Sequence, residues 1–136
     1  MKPVVFIPEP IASSGIDLLR PTCDCLTPWS EGKKPDPTEQ RGLLAQADAV
    51  ILRLFALRAD DFEQAPRLKV VAKHGVGVDN IDVAAATARR ILVVFTPMAN
   101  ANAVAEHAMT LMTALARNLV PAAEALRAGR FQERNK

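Results

Sequence analysis

Short apolar runs alternate with helix-like segments along the first hundred residues, and this alternation limits the folds open to the chain. Five runs rich in aliphatic and β-branched residues read as strands: residues 4–7, 23–26, 49–54, 68–72 and 91–95. Prolines or polar turns close them: Pro8 and Pro10 after the first, Pro28 after the second, Thr96 and Pro97 after the last. Helices are expected between them. One covers residues 14–20, with Ser13 or Ser14 as cap. A polar loop over residues 30–37 leads to a second helix. Asp36, Pro37 and Glu39 give that helix a cap, a first-turn proline and an acid at its third position, and it runs to about Ala47. Short helices follow over residues 60–64 and 82–89, the latter capped by Asp82. Apolar strands alternating with helices predict an α/β fold, a parallel sheet with helices on both faces. Right-handed crossovers favour a flavodoxin-like five-stranded order, 2-1-3-4-5.

The pattern changes near residue 100. Val104, Ala108, Leu111, Leu115 and Leu119 recur at helical spacing, and Met112 widens the stripe. A long C-terminal helix is expected, kinked or restarted at Pro121 and ended by Gly129. The boundaries read as 1–99 for the sheet domain and 100–136 for the helix. A length of 136 residues suits one well-buried core.

Net charge is +2, too small to argue for nucleic acid or an acidic membrane surface. The basic excess lies in residues 117–136, with five basic groups against two acidic. It reads as a solvated helix end. Cys23 and Cys25 would share one strand face, where a disulfide fits poorly, and with two isolated histidines they make no zinc site. The N-terminal apolar run is too short for a secretory signal, and no stretch is long enough to span a bilayer. A reduced, cytoplasmic setting is expected.

The sharpest local feature is the loop Gly75-Val76-Gly77-Val78-Asp79-Asn80-Ile81-Asp82, between a strand and a helix. It is not a dinucleotide fingerprint. The sixth position is Asn80 rather than glycine, and no acid lies between Val83 and Ala105 to bind a ribose. Two glycines one apart instead let backbone N–H groups converge into a nest. The following helix start would add its own N–H groups and positive dipole end. Such a nest suits a carboxylate or small phosphate. Asp79, Asn80 and Asp82 can order the loop. A ligand-free strand–helix turn is the alternative that spacing alone leaves open.

The segment 68–82, then residues 84–87, Thr96-Pro97, residues 100–107 and residues 115–118 resemble the D-isomer-specific 2-hydroxyacid dehydrogenases, the phosphoglycerate dehydrogenase-like family. The resemblance runs from the first strand to Arg130. It implies a substrate (catalytic) domain followed by an interdomain helix leading to a Rossmann NAD-binding domain. It also implies hydride transfer between NAD, with NADP left open, and a small 2-hydroxy or 2-keto acid. By position, Gly75, Val76 and Gly77 would hold the substrate carboxylate. Arg53 and Asn100 would line the substrate pocket, and Val76 and Val104 would face the nicotinamide. Val104 also belongs to the apolar stripe. The family's catalytic arginine, glutamate and histidine have no counterpart in this chain. Glu106 and His107 are helix neighbours about 100° apart and form no dyad. His74 reads as a strand-end residue with a local hydrogen bond. The chain alone is expected to be inactive and to self-associate, as a homodimer for example, through its long helix.

Several residues depart from the family pattern. Arg90 replaces a glycine after a helix, a change costing about 1 kcal/mol if the position is left-handed. Phe95 and Met98 are bulkier than usual, as are Leu54 and Phe55 beside Arg53. They would narrow the cleft, and they leave the acid open. A stand-alone, non-catalytic module for small carboxylates is the competing reading. A phospho-receiver or flavin carrier is disfavoured, because Arg53 stands where a receiver needs Asp, and for stacking on a flavin the chain has no Tyr and a single Trp, Trp29.

Overall fold

A computed structural model describes residues 1–31 and 36–132 of the chain. Residues 32–35 of the 30–37 loop, and the basic groups Arg134 and Lys136, lie outside the described residues. The chain divides into two compact units, with the break between Pro97 and Met98.

The first unit is a five-stranded parallel sheet of order β2-β1-β3-β4-β5. Its strands are β1 (Val4–Phe6), β2 (Asp24–Leu26), β3 (Ala49–Leu52), β4 (Val70–Lys73) and β5 (Leu92–Val94). The expected α/β fold and strand order are both present. Helices α1 (Ser13–Leu19), α2 (Pro37–Leu44), α3 (Ala59–Gln64) and α4 (Val83–Ala88) make the crossovers. A short 3-10 turn, Pro28–Glu31, follows β2.

Strand alternation sorts the core onto two faces. Phe6, Val50, Leu52 and Val71 point one way and pack with Leu44, Leu57, Phe62, Leu68 and Ile91. Val5 and Ile7 point the other way, onto Ile16 of α1, with Cys23, Cys25, Trp29, Ala49 and Ile51 around them. The Trp29 indole donates to the Ile7 carbonyl at 2.9 Å, which satisfies its polar edge inside an apolar cluster. Each fully buried Leu or Phe contributes about 1.5–3 kcal/mol, so the first face supplies most of the stability. On the α1 side, Leu92 and Val94 of β5 stay exposed.

Several local expectations shift. The strands are shorter than their apolar runs, because pairing stops where the chain leaves the sheet. Helix α1 begins after Ala12, and no side chain caps it, so neither Ser13 nor Ser14 plays that part. Asp36 does stand at the N-cap of α2 with Pro37 behind it, yet its side chain makes no cap bond. That helix ends at Leu44, because the Gln46 and Ala47 N–H groups fold back onto Leu43 and Leu44. Asp82 caps α4 as expected, accepting the Ala85 N–H at 2.9 Å.

The second unit holds α5 (Ala101–Ala116) and α6 (Leu119–Arg127). The restart falls at Asn118, not Pro121. Asn118 has φ 46°, and Pro121 sits harmlessly in the first turn of α6, where its missing N–H has no partner to lose. Gly129 ends α6 at φ 71°, with bonds from Gly129 N–H to the Leu126 carbonyl and from Arg130 N–H to the Ala125 carbonyl. No residue of α5 is buried, and Val104 is 58% exposed. Val104, on the apolar stripe, is thus not buried among the described residues. No described helix is long and apolar enough to cross a membrane.

Candidate functional site

In a parallel sheet of this order, ligand-binding loops sit beyond the carboxyl ends of the strands. Register places Arg53 and His74 side by side there, one residue past the paired Leu52 and Lys73. The His74 backbone N–H donates to the Leu52 carbonyl at 2.8 Å and extends the ladder. Its ring is exposed.

The glycine loop leaves β4 through Gly75, whose φ of +147° is closed to ordinary side chains. A Cβ there would also meet the Lys73 stem at 3.5 Å. The Gly75 carbonyl accepts twice from Thr96 beyond β5, from its N–H at 3.0 Å and its hydroxyl at 3.1 Å. In a trans peptide the next N–H points opposite to that carbonyl. Thr96 therefore aims the Val76 N–H away from β5. Among the described residues nothing accepts the N–H of Val76 or Gly77, and both residues are exposed. These are free donors of the kind a nest offers an anion. Gly77 is hemmed by Asp79, whose Oδ2 lies 3.0 Å from where a Cβ would stand.

The helix contribution expected at this nest is absent. Helix α4 begins only at Val83, and Asp82 takes its Ala85 N–H. Residues 78–82 form a turn instead, closed by Ile81 N–H on the Val78 carbonyl at 2.9 Å. That turn runs beside Leu57 through a parallel bridge with Ile81. Asn80 orders the loop, as expected. Its Nδ2 donates to the Phe55 carbonyl at 2.7 Å and the Arg53 carbonyl at 3.2 Å. Its Oδ1 accepts from Lys73 Nζ at 2.6 Å, and the same ammonium also reaches the Arg53 carbonyl.

Arg53 is exposed, and its guanidinium makes one long bond, Nη1 to the Pro10 carbonyl at 3.4 Å. The charge is thus displayed rather than spent. The Arg53, Leu54 and Phe55 N–H groups all turn to the carboxylate of Glu9. Sequence reasoning missed Glu9 and the role of Thr96. The available signal for Glu9 was an acid held between Pro8 and Pro10 at a strand's carboxyl end. Of the bulky residues expected at the cleft, Leu54 and Phe95 are exposed at this edge. Phe55 is not a cleft residue. Its ring turns inward and meets Phe6 edge-on, with centroids 5.9 Å apart.

Arg53, Gly75, Val76 and Gly77 are thus gathered on one edge of the first unit. Asn100 and Val104 belong to the second unit. Asn100 stands at the N-cap of α5, where its carbonyl takes the Val104 N–H at 2.9 Å and its side chain makes no cap bond. Among the described residues, no three His, Cys, Asp or Glu side chains are placed to hold a metal.

Residues 5–134 match the family model described as D-isomer specific 2-hydroxyacid dehydrogenase, catalytic domain. The chain is 40% identical over 127 residues to D-3-phosphoglycerate dehydrogenase of Mycobacterium leprae, covering 93% of this chain and 23% of that protein. It is 38% identical over 135 residues to glyoxylate reductase of Pyrococcus furiosus, covering 98% and 40%. Among solved structures it superposes with a TM-score of 0.78 and 26% identity on the NADPH-dependent glyoxylate/hydroxypyruvate reductase of Sinorhizobium meliloti in complex with NADP and malonate. That match covers 96% of this chain and 40% of the reductase. The chain spans less than half the length of each of these relatives.

Proposed function

The chain belongs to the D-isomer specific 2-hydroxyacid dehydrogenase family, and from that premise we propose that it forms the acid-binding half of an oxidoreductase's substrate cleft. In this reading the Val76 and Gly77 N–H groups hold the carboxylate of a small 2-hydroxy or 2-keto acid. Arg53 supplies the positive charge beside them. By its position in the family pattern, Asn100 is the substrate-facing residue of the second unit, and Val76 and Val104 are the residues that would face the nicotinamide of NAD or NADP. The observation that carries the reading is the pair of unpartnered N–H groups behind Gly75, held open by Thr96.

The residues fit a carboxylate better than a nucleotide. Two N–H donors and one guanidinium match the oxygens of one acid group. No third glycine and no helix N-terminus are there to take a pyrophosphate. A bound nicotinamide would accept or deliver the hydride. This chain's part is to orient the acid and to exclude alternatives by shape. Within it, neither Glu106 nor His107 is expected to move a proton for the reaction. The malonate named with the Sinorhizobium meliloti reductase is a small carboxylate of the same kind.

Calorimetry with glyoxylate and malonate tests this directly. Binding in the millimolar range is expected for the chain, weakened at least about fivefold by Thr96→Val, since an aimed donor contributes about 1 kcal/mol. Asp79→Asn should tighten binding about twofold by removing an exposed like charge. Equal heats from all three proteins would refute the assignment. With NADH and glyoxylate, the chain by itself should give no turnover above buffer.

A further inference from the structure

Beside the open nest lies a second one that is already full. The N–H groups of Arg53, Leu54 and Phe55 converge on Glu9, with Oε2 accepting from them at 2.7, 2.8 and 3.0 Å. Oε1 takes a further contact from Leu54 at 2.9 Å. Three successive N–H groups around one carboxylate is how a backbone nest holds an anion, and each bond is charge-assisted. The carbonyl side of the same loop is fixed independently. Lys73 and Asn80 both reach the Arg53 carbonyl, and Asn80 also reaches that of Phe55. Glu9 itself is flanked by Pro8 and Pro10, which restrict the backbone that presents it.

We propose that Glu9 is a positioning residue. Its carboxylate is the resident anion of the 53–55 nest, sets the backbone from which Arg53 projects, and closes that nest to acids from solution. An incoming acid is thereby left with the nest at Val76 and Gly77. This last consequence rests on the reading in the preceding subsection, whereas the occupancy of the 53–55 nest does not. A glutamate that merely ended a turn would need one bond. The convergence of three donors is what marks an internal ligand.

The test is an amide-resolved NMR titration of the chain with malonate, on the native sequence and on Glu9→Ala. Malonate should leave the Leu54 and Phe55 amides, which do not carry the proposed acid-binding side chain, unmoved in the native chain. In Glu9→Ala the Leu54 and Phe55 amides should move and saturate, because the vacated nest accepts the added anion. Silence at those amides in a folded Glu9→Ala chain would overturn the proposal. If that variant does not fold, Glu9→Gln keeps the shape and loses the charge. Hydrogen exchange at residues 53–55 should then quicken about tenfold while Ile51 is unchanged. Unchanged rates at all four would equally overturn it. If Val76 and Gly77 fail to respond in the native chain, the acid-binding reading falls, and the Leu54 and Phe55 amides still decide the role of Glu9.

Discussion

Arg90 holds φ 59° immediately after α4, a conformation that costs an L-residue about 1–2 kcal/mol. What keeps it there is a full C-terminal motif. Its N–H bonds the Thr87 carbonyl at 2.9 Å, and the Ile91 N–H bonds that of Ala86 at 2.9 Å. Ile91 is buried, so the turn cannot relax without losing core. Gly129 ends α6 by the same two bonds without a Cβ to strain it. Arg90→Gly should therefore raise stability by about 1 kcal/mol, read as a higher denaturant midpoint with an unchanged slope. A lower midpoint would mean that the arginine side chain contributes more than the strain removes. Gly75 is the opposite case. Gly75→Ala should destabilise and disturb the nest together, because φ +147° admits no substitute.

At the scale of elements, Asp48 ties the amino end of the sheet. Its Oδ2 accepts the Val4 N–H at 2.8 Å and an Arg67 nitrogen at 2.8 Å, just before β3. The Val4 hydrogen bond first, then that of Arg67, holds its carboxyl below the usual carboxylate range. A lowered folded value means that the stabilisation is complete above the unfolded value of about 3.9 and is lost as pH falls through the folded one. Asp48→Asn should flatten the acid limb of the stability–pH curve and leave the neutral limb parallel to the native one. An acid limb of native steepness would count against this. Burial first, then the neighbouring Cys23, raises the Cys25 thiol, so on edge strand β2 it should stay protonated and alkylate slowly at neutral pH.

Elements of this kind were legible where period and punctuation agree. Residues 49–52 form an unbroken apolar run, Ala-Val-Ile-Leu, stopped by Arg53, and β3 (Ala49–Leu52) lies inside the expected 49–54, two residues shorter at its carboxyl end. The cap at Asp82 was legible because an aspartate precedes a run of alanines. The missing cap of α1 was not, since Ser13 and Ser14 both look suitable and the choice depends on how the chain leaves Pro10. The glycine loop was legible through Gly75 and Gly77, but its helix contribution was not. Five residues of turn intervene, held by contacts to Leu57 that are distant in sequence. Glu9 was invisible for the same reason, because its partners lie more than forty residues away.

At the scale of the whole molecule, each unit displays apolar surface. Leu92 and Val94 are exposed on the first unit, and Val104, Met109, Leu111, Met112 and Leu115 on the second. Runs of this kind favour association. Sedimentation at tens of micromolar (about the range where such exposed surfaces associate) should show species heavier than a 14.7 kDa monomer, and a single monomeric boundary would contradict it. On the proposed function, the first unit presents one open carboxylate nest. Titrating the native chain with glyoxylate while following backbone amides tests it most directly. Saturable shifts at Val76 and Gly77, with none at the capped Ala85, are the predicted result. Shifts spread evenly over the exposed amides, or no shift at Val76 and Gly77, would contradict it.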